Sequence, residues 1–294
     1  MQLSTVLLCS LMSYQLVSPR AVTDFAASYP SWSPDGTRIA FQSNRDGDDL
    51  EIYVIELRGG RLTQLTDNDF DDLQPAWSPD GASLVFVSRR DANTEIYRMH
   101  ADGSMQERLT HYPQQDLHPT FSQRVGRILF NREKGEGRDS TAEIYEMNAD
   151  GADVEQLTEN RFPYTYPSWS PDGSQLLFVQ WFPPTSRPGR PNTEISLLAR
   201  GAKEPTRLTK EPGFDGYPAW SPDGERIAFT SDRLGGRNQL FLMQRDGTAV
   251  VALTEQGDVA FARPSWSPDG TKIVCTGDSG QSERLYIIEV PSEP

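Results

Sequence analysis

The sequence predicts an all-β chain folded as a six-bladed β-propeller, four antiparallel strands to each blade, with the ring closed by an N-terminal strand that completes the last blade. Three observations predict it. A short turn motif recurs six times along 294 residues. Its interval is that of a four-stranded blade. The strand signals fall one short at the C-terminal end, and a spare strand signal near the N-terminus supplies the missing member.

The motif is Trp-Ser-Pro-Asp-Gly, intact at Trp32 to Gly36, Trp77 to Gly81, Trp169 to Gly173, Trp220 to Gly224 and Trp266 to Gly270, and reduced to Pro119-Thr120-Phe121-Ser122 in the third copy. The anchor aromatics Trp32, Trp77, Phe121, Trp169, Trp220 and Trp266 are spaced by 45, 44, 48, 51 and 46 residues. Within the first copy, strand a is expected over Tyr29 to Ser33. Pro34-Asp35-Gly36 then makes a tight turn, Pro fixing a negative φ and Gly supplying a positive one. Strand b is expected over Arg38 to Phe41 and strand c over Glu51 to Val54, both alternating and β-branched. Strand d, Arg61 to Thr66, ends on a Leu-Thr pair that returns at Leu109-Thr110, Leu157-Thr158, Leu208-Thr209 and Leu253-Thr254. After Arg284 to Ile288 no sixth strand d follows, and Leu16 to Thr23 precedes Trp32 at nearly the required offset. An open ring would expose a sheet edge and an apolar blade face, so removal of residues 15–24 is expected to cost more than loss of a frayed terminus.

Trp-Ser-Pro-Asp-Gly followed by Ile39-Ala40-Phe41, Glu51-Ile52-Tyr53 and the Arg-Leu-Thr of Arg108 to Thr110 resembles the repeat of TolB-type propellers, a Trp-Asp-repeat-like family, over residues 15–290. The resemblance implies a six-bladed propeller, often exported in bacteria, whose namesake sits in the periplasm and binds a peptidoglycan-associated lipoprotein. The same repeat also occurs in propellers attached to prolyl-oligopeptidase-type hydrolases and in oligogalacturonate-lyase-like proteins.

Composition narrows the partner. A net charge of −14 disfavours nucleic acid and anionic membrane surfaces. Two cysteines, Cys9 and Cys275, offer neither a disulfide framework nor a cysteine metal site. The apolar run Val6 to Met12 is too short to span a bilayer and is about the length of a signal-peptide core. Residues 1–14 are therefore expected to be a leader or disordered segment, residues 15–294 one propeller, and the protein exported to the periplasm or beyond.

Strands alternate in direction, so the a–b and c–d turns share one face and the b–c and d–a loops the other. The b–c loops are the longer and more polar, and recognition residues usually sit on such loops. A binding site is expected there. Strand a is innermost, which puts the residue before each strand-a Pro at the mouth of the central channel: Tyr29, Gln74, His118, Tyr166, Tyr217 and Arg263. These either form a partner-binding rim or fill and hydrate the mouth. A second set, Arg45, Arg90, Lys134 and Arg233, falls four residues after the strand-b aromatics Phe41, Phe86, Phe130 and Phe229. It is either a cationic ring for an acidic partner or a set of inter-blade ion pairs and solvated charges. Trp181-Phe182, opening a Pro-rich insertion in blade four, is either a partner surface or packing. Asp67, Asp69, Asp71 and Asp72 lack the EF-hand spacing and read as a solvated loop rather than a Ca²⁺ site.

Enzymatic signals are weak. No G-x-S-x-G elbow occurs, Gly277-Asp278-Ser279-Gly280 sits in a b–c loop, and His100, His111 and His118 do not converge as a metal triad. No catalytic residue, metal or cofactor is assigned. The leading expectation is a non-catalytic scaffold that engages a protein or peptide; the alternatives are a carbohydrate-binding or carbohydrate-processing propeller using the Tyr rim, and a structural module of a larger assembly.

Overall fold

The computed structural model describes residues 18–291, apart from residues 92, 125, 136–140, 160–161 and 184–191. The expected leader, the start of the expected closing strand and most of the Pro-rich insertion lie outside the described residues. Those described form 24 strands in six four-stranded antiparallel sheets, with no helix. Blade one runs outward from strand a (Ser28–Trp32) through b (Arg38–Ser43) and c (Glu51–Glu56) to d (Leu62–Gln64). Blades two to five repeat this order, and their strands a span Asp72–Trp77, Asp116–Phe121, Tyr164–Trp169 and Asp215–Trp220.

Blade six takes three strands from the C-terminal end, Ala260–Trp266, Lys272–Asp278 and Glu283–Glu289, and its fourth from Arg20–Ala21. Arg20 lies opposite Ile287 and Ala21 opposite Tyr286. Beyond that ladder the Val22 amide donates to the Leu285 carbonyl at 2.8 Å, and the Leu285 amide donates to Thr23 Oγ1 at 3.1 Å. Blade one makes the same two bonds, Leu65 N to Ile52 O and Ile52 N to Thr66 Oγ1, each at 2.8 Å. Val22-Thr23 is therefore the sixth copy of Leu-Thr, delivered from the other end of the chain.

Strand d proves shorter than expected, two residues in blades two to five. The reason is local. The Thr hydroxyl accepts the strand-c amide where a carbonyl would otherwise do so, and donates to a residue in the first half of strand c: Glu51, Glu95, Glu143, Glu194 or Gln239, at 2.5–2.7 Å. A side chain ends the ladder, and short outer edges resist further strand pairing.

The turn motif works within and between blades. Ser33 Oγ donates to Asp35 Oδ1 at 2.6 Å, and the same oxygen accepts the Thr37 amide at 3.0 Å. Where the third copy lacks the Asp, Ser122 Oγ is buried without a partner. Gly81 has φ of +68°, and a Cβ there would lie 3.2 Å from the Pro34 ring, so the Pro of one blade nests on the Gly of the next. Six apolar clusters fill the six wedges. In the first, Trp77 packs with Ala40, Ile52, Val54 and Leu65 of the preceding blade. The seam has its own cluster, Trp32 with Val274, Leu285 and Ile287, against which Val22 and Phe25 pack.

The buried acids near the starts of strands c and a make stability pH-dependent. Burial pushes Glu194 up to about 7 from an ordinary 4.5 despite its bond from Thr209, and burial likewise raises Glu51, Asp116 and Asp215. Between pH 5 and 7 the folded state then holds protons that the unfolded chain releases, so stability falls as pH rises. Glu194→Gln should flatten that slope by up to about 1.4 kcal/mol per pH unit in urea melts. The change keeps the acceptor for Thr209, as Gln239 does for Thr254 in blade five; an unaltered slope would place the protonation elsewhere.

Candidate functional site

The site is built from one backbone irregularity repeated around the ring. In every blade the pairing of strands a and b slips at the residue before the Pro. Tyr29, Gln74, His118, Tyr166, Tyr217 and Arg263 all have left-handed backbone there, with φ between 50° and 58°. Such a conformation costs roughly 1 kcal/mol or more for a residue with a side chain. The bulge re-aims the side chain from the sheet into the channel. Neighbouring blades hold the strained amides: Gln74 N donates to Gln42 Oε1 at 2.9 Å, and His118 N donates to Gln74 Oε1 at 2.8 Å.

The six side chains meet. The His118 and Tyr166 rings are 3.8 Å apart, Tyr217 stands edge-on to Tyr166 at 4.6 Å, and the Tyr166 phenol interacts electrostatically with both Tyr217 and Tyr29. Tyr166 belongs to blade four and Tyr29 to blade one, so this contact bridges the full channel. Arg263 lies 4.1 Å from the Tyr29 ring centre and 5.3 Å from that of Tyr217, and donates to Glu283 at 2.9 Å. Beneath this plug a cavity of about 510 Å³ runs along strand a to Pro34, Pro171, Pro222 and Pro268 in the a–b turns. Its walls combine the small residues Ser31, Ala76, Thr120, Ser168, Ala219 and Ser265 with the anchor aromatics that follow each of them.

Electrostatics follow from the burial. His118 Nδ1 is 2.6 Å from Asn131 Oδ1, which assigns the ring hydrogen to Nδ1, and burial lowers the imidazole to about 4. It is neutral at pH 7. Burial also pushes the Tyr166 phenol well above its ordinary value. Burial opposes the charge on Arg263, but Tyr29, Tyr217 and Glu283 outweigh it and raise its pKa.

The second set is engaged within single blades rather than between them. Arg90 pairs with Asp72 at 2.6 Å and Arg233 with Asp215 at 2.8 Å, each joining the end of strand b to the start of strand a. Arg45 pairs with Asp46 and lies over Phe25. Lys134 reaches Gln156, and in its blade the equivalent pairing belongs to Arg132 with Asp116. Strand b of blade three runs on to Lys134, which moves the matching position two residues back. Asp-x-x-Pro, at Asp72, Asp116 and Asp215, is the signal that marks these pairs.

In the acidic loop, Asp71 pairs with Arg89 and Asp72 with Arg90. Among the described residues no group of three or more His, Cys, Asp or Glu side chains is placed to hold a metal ion. His100 contacts Ser104 at the c–d end, away from His118. Gly280 N donates to Asp278 Oδ1, making Gly277 to Gly280 a local turn. In the insertion, Trp181 donates to Thr165 Oγ1 at 3.2 Å and Phe182 packs on Phe162.

Spacing alone misses one further set. The d–a loops carry Phe25, Phe70, Tyr112, Phe162 and Phe214 at varying offsets from the rim. Phe70 is 45% exposed, Tyr112 37% and Trp181 37%, and these are the exposed large aromatics among the described residues, all on the b–c/d–a face.

A family model described as the TolB beta propeller domain matches residues 4–181 and 185–293. Two curated relatives carry the name Tol-Pal system protein TolB. The one from Alcanivorax borkumensis is 37% identical over 73 residues, 25% of this chain and 15% of its own length; that from Bordetella pertussis is 32% identical over 128 residues, 29% of this chain and 28% of its own. The chain thus matches less than a third of the length of either. Among solved structures, a TolB from Agrobacterium tumefaciens named as putative superposes with a TM-score of 0.67 at 22% identity, covering 92% of both chains. An oligogalacturonate lyase in complex with manganese gives 0.61 at 17%, covering 95% and 96%. At such identities these two likenesses speak to the fold alone.

Proposed function

Because the chain belongs to the TolB β-propeller domain family, we propose that it is a non-catalytic scaffold that engages a protein or peptide partner through the b–c/d–a face, outside the cytoplasm. The observation that carries this reading is that the exposed large aromatics among the described residues, Phe70, Tyr112 and Trp181, all lie on that face. Exposed aromatics are enriched where proteins meet, because a rigid ring buries much area for little lost entropy. The names of the curated relatives, which place them in the Tol-Pal system, support a protein partner. The paired Arg90 and Arg233 are committed to their own blades, which leaves the aromatics as the anchors.

A photo-crosslinking amino acid placed in turn at positions 70, 112 and 181, and at 105 and 250 on the opposite face, tests it in the native source. Adducts are expected at the first three positions and not at the other two. Adducts confined to positions 105 and 250 would move the partner to the other side of the ring.

A further inference from the structure

The channel beneath the plug has a composition that differs from the rest of the molecule. The protein carries a net charge of −14, yet among the residues that line the cavity Arg263 is the one charged side chain. Among the described residues its carboxylate partner is Glu283, which takes a single Nη1 hydrogen and does not line the space. Tyr29, Tyr166 and Tyr217 bring three phenolic hydroxyls to the lining, each able to donate one hydrogen bond. Arg263 Nε is buried without an acceptor. The neutral His118 offers only Nε2 as an acceptor, its Nδ1 being engaged with Asn131. Arg263 therefore brings positive charge and an unpaired Nε hydrogen to this end of the cavity, while the walls are methyls, small hydroxyls, Pro rings and the anchor rings Trp32, Trp77, Phe121, Trp169, Trp220 and Trp266.

We propose that the channel is a binding site for an organic carboxylate, entered from the a–b turn face, with Arg263 as the counter-charge and the tyrosine hydroxyls as donors. A volume of about 510 Å³ suits a small molecule or the last residues of a peptide. The two sources share one chemistry, a carboxylate on a slender apolar body. The site is separate from the aromatic loop face and stands or falls independently of the partner proposed there.

The test is calorimetric titration with benzoate, with benzamide as the uncharged control, and with the tripeptide Ala-Ala-Phe as free acid and as carboxamide. Binding of benzoate or of the free-acid peptide is expected with Kd below about 1 mM, and the matching amide should bind at least about tenfold more weakly, as the loss of a charge-assisted bond requires. Arg263→Gln should weaken binding by a similar factor. Ser168→Leu narrows the wall without replacing Arg263 or the tyrosines, and it should block binding with the fold retained by circular dichroism. Binding of benzoate assigns a free acid and binding of the peptide alone a chain terminus. Failure of both acids to bind, or equal binding of acid and amide, overturns the proposal.

Discussion

Replacing Arg132 with Ala should destabilise the propeller by about 3–5 kcal/mol, because it leaves a carboxylate buried without its counter-charge. Asp116 is fully buried and Arg132 grips it through two bonds of 2.7 Å. The guanidinium also lies against Tyr112, Tyr145 and Phe130 at 4.1, 4.9 and 5.3 Å. Two explanations of the loss are separable by pH. Burial already raises Asp116, with Arg132 working against that shift. Without the Arg the folded-state pKa climbs further, the folded variant takes up a proton as pH falls, and part of the loss is recovered below the folded-state pKa. Urea melts of Arg132→Ala should therefore show a smaller deficit at pH 5 than at pH 8. Arg132→Met with Asp116→Asn should regain at least half the loss at both. An equal deficit at both pH values would assign the cost to lost packing against the three rings.

Much of this molecule was legible before its coordinates, for reasons that differ by element. The blade count followed from the anchor aromatics, since each must fill a wedge between two sheets and the wedge recurs once per blade. The closing strand followed from counting Leu-Thr pairs, even though its own copy reads Val22-Thr23. The six channel residues followed from a single rule, the residue before Pro, because that is where the bulge falls. What spacing could not supply was their meeting. Tyr166 reaches Tyr29 across the ring through side-chain directions that no periodicity records. The same limit hid Arg132, displaced by two residues in blade three, and the d–a aromatics, whose loops differ in length.

The closed ring underlies every assignment of face, channel and partner surface. Chain lacking residues 1–25 loses the Arg20–Ala21 strand, the Val22 and Thr23 bonds to Leu285, and the Val22 and Phe25 packing on the seam cluster. At about 1 kcal/mol per hydrogen bond and about 1–2 for each apolar side chain, the loss is on the order of 5 kcal/mol. For a domain of this size that corresponds to roughly 10–20 °C in Tm. The thermal melt of that truncated chain, followed by circular dichroism beside the full chain, is the most direct test: a drop of that size is what a ring latched by its first strand predicts, and coincident melting curves would contradict it.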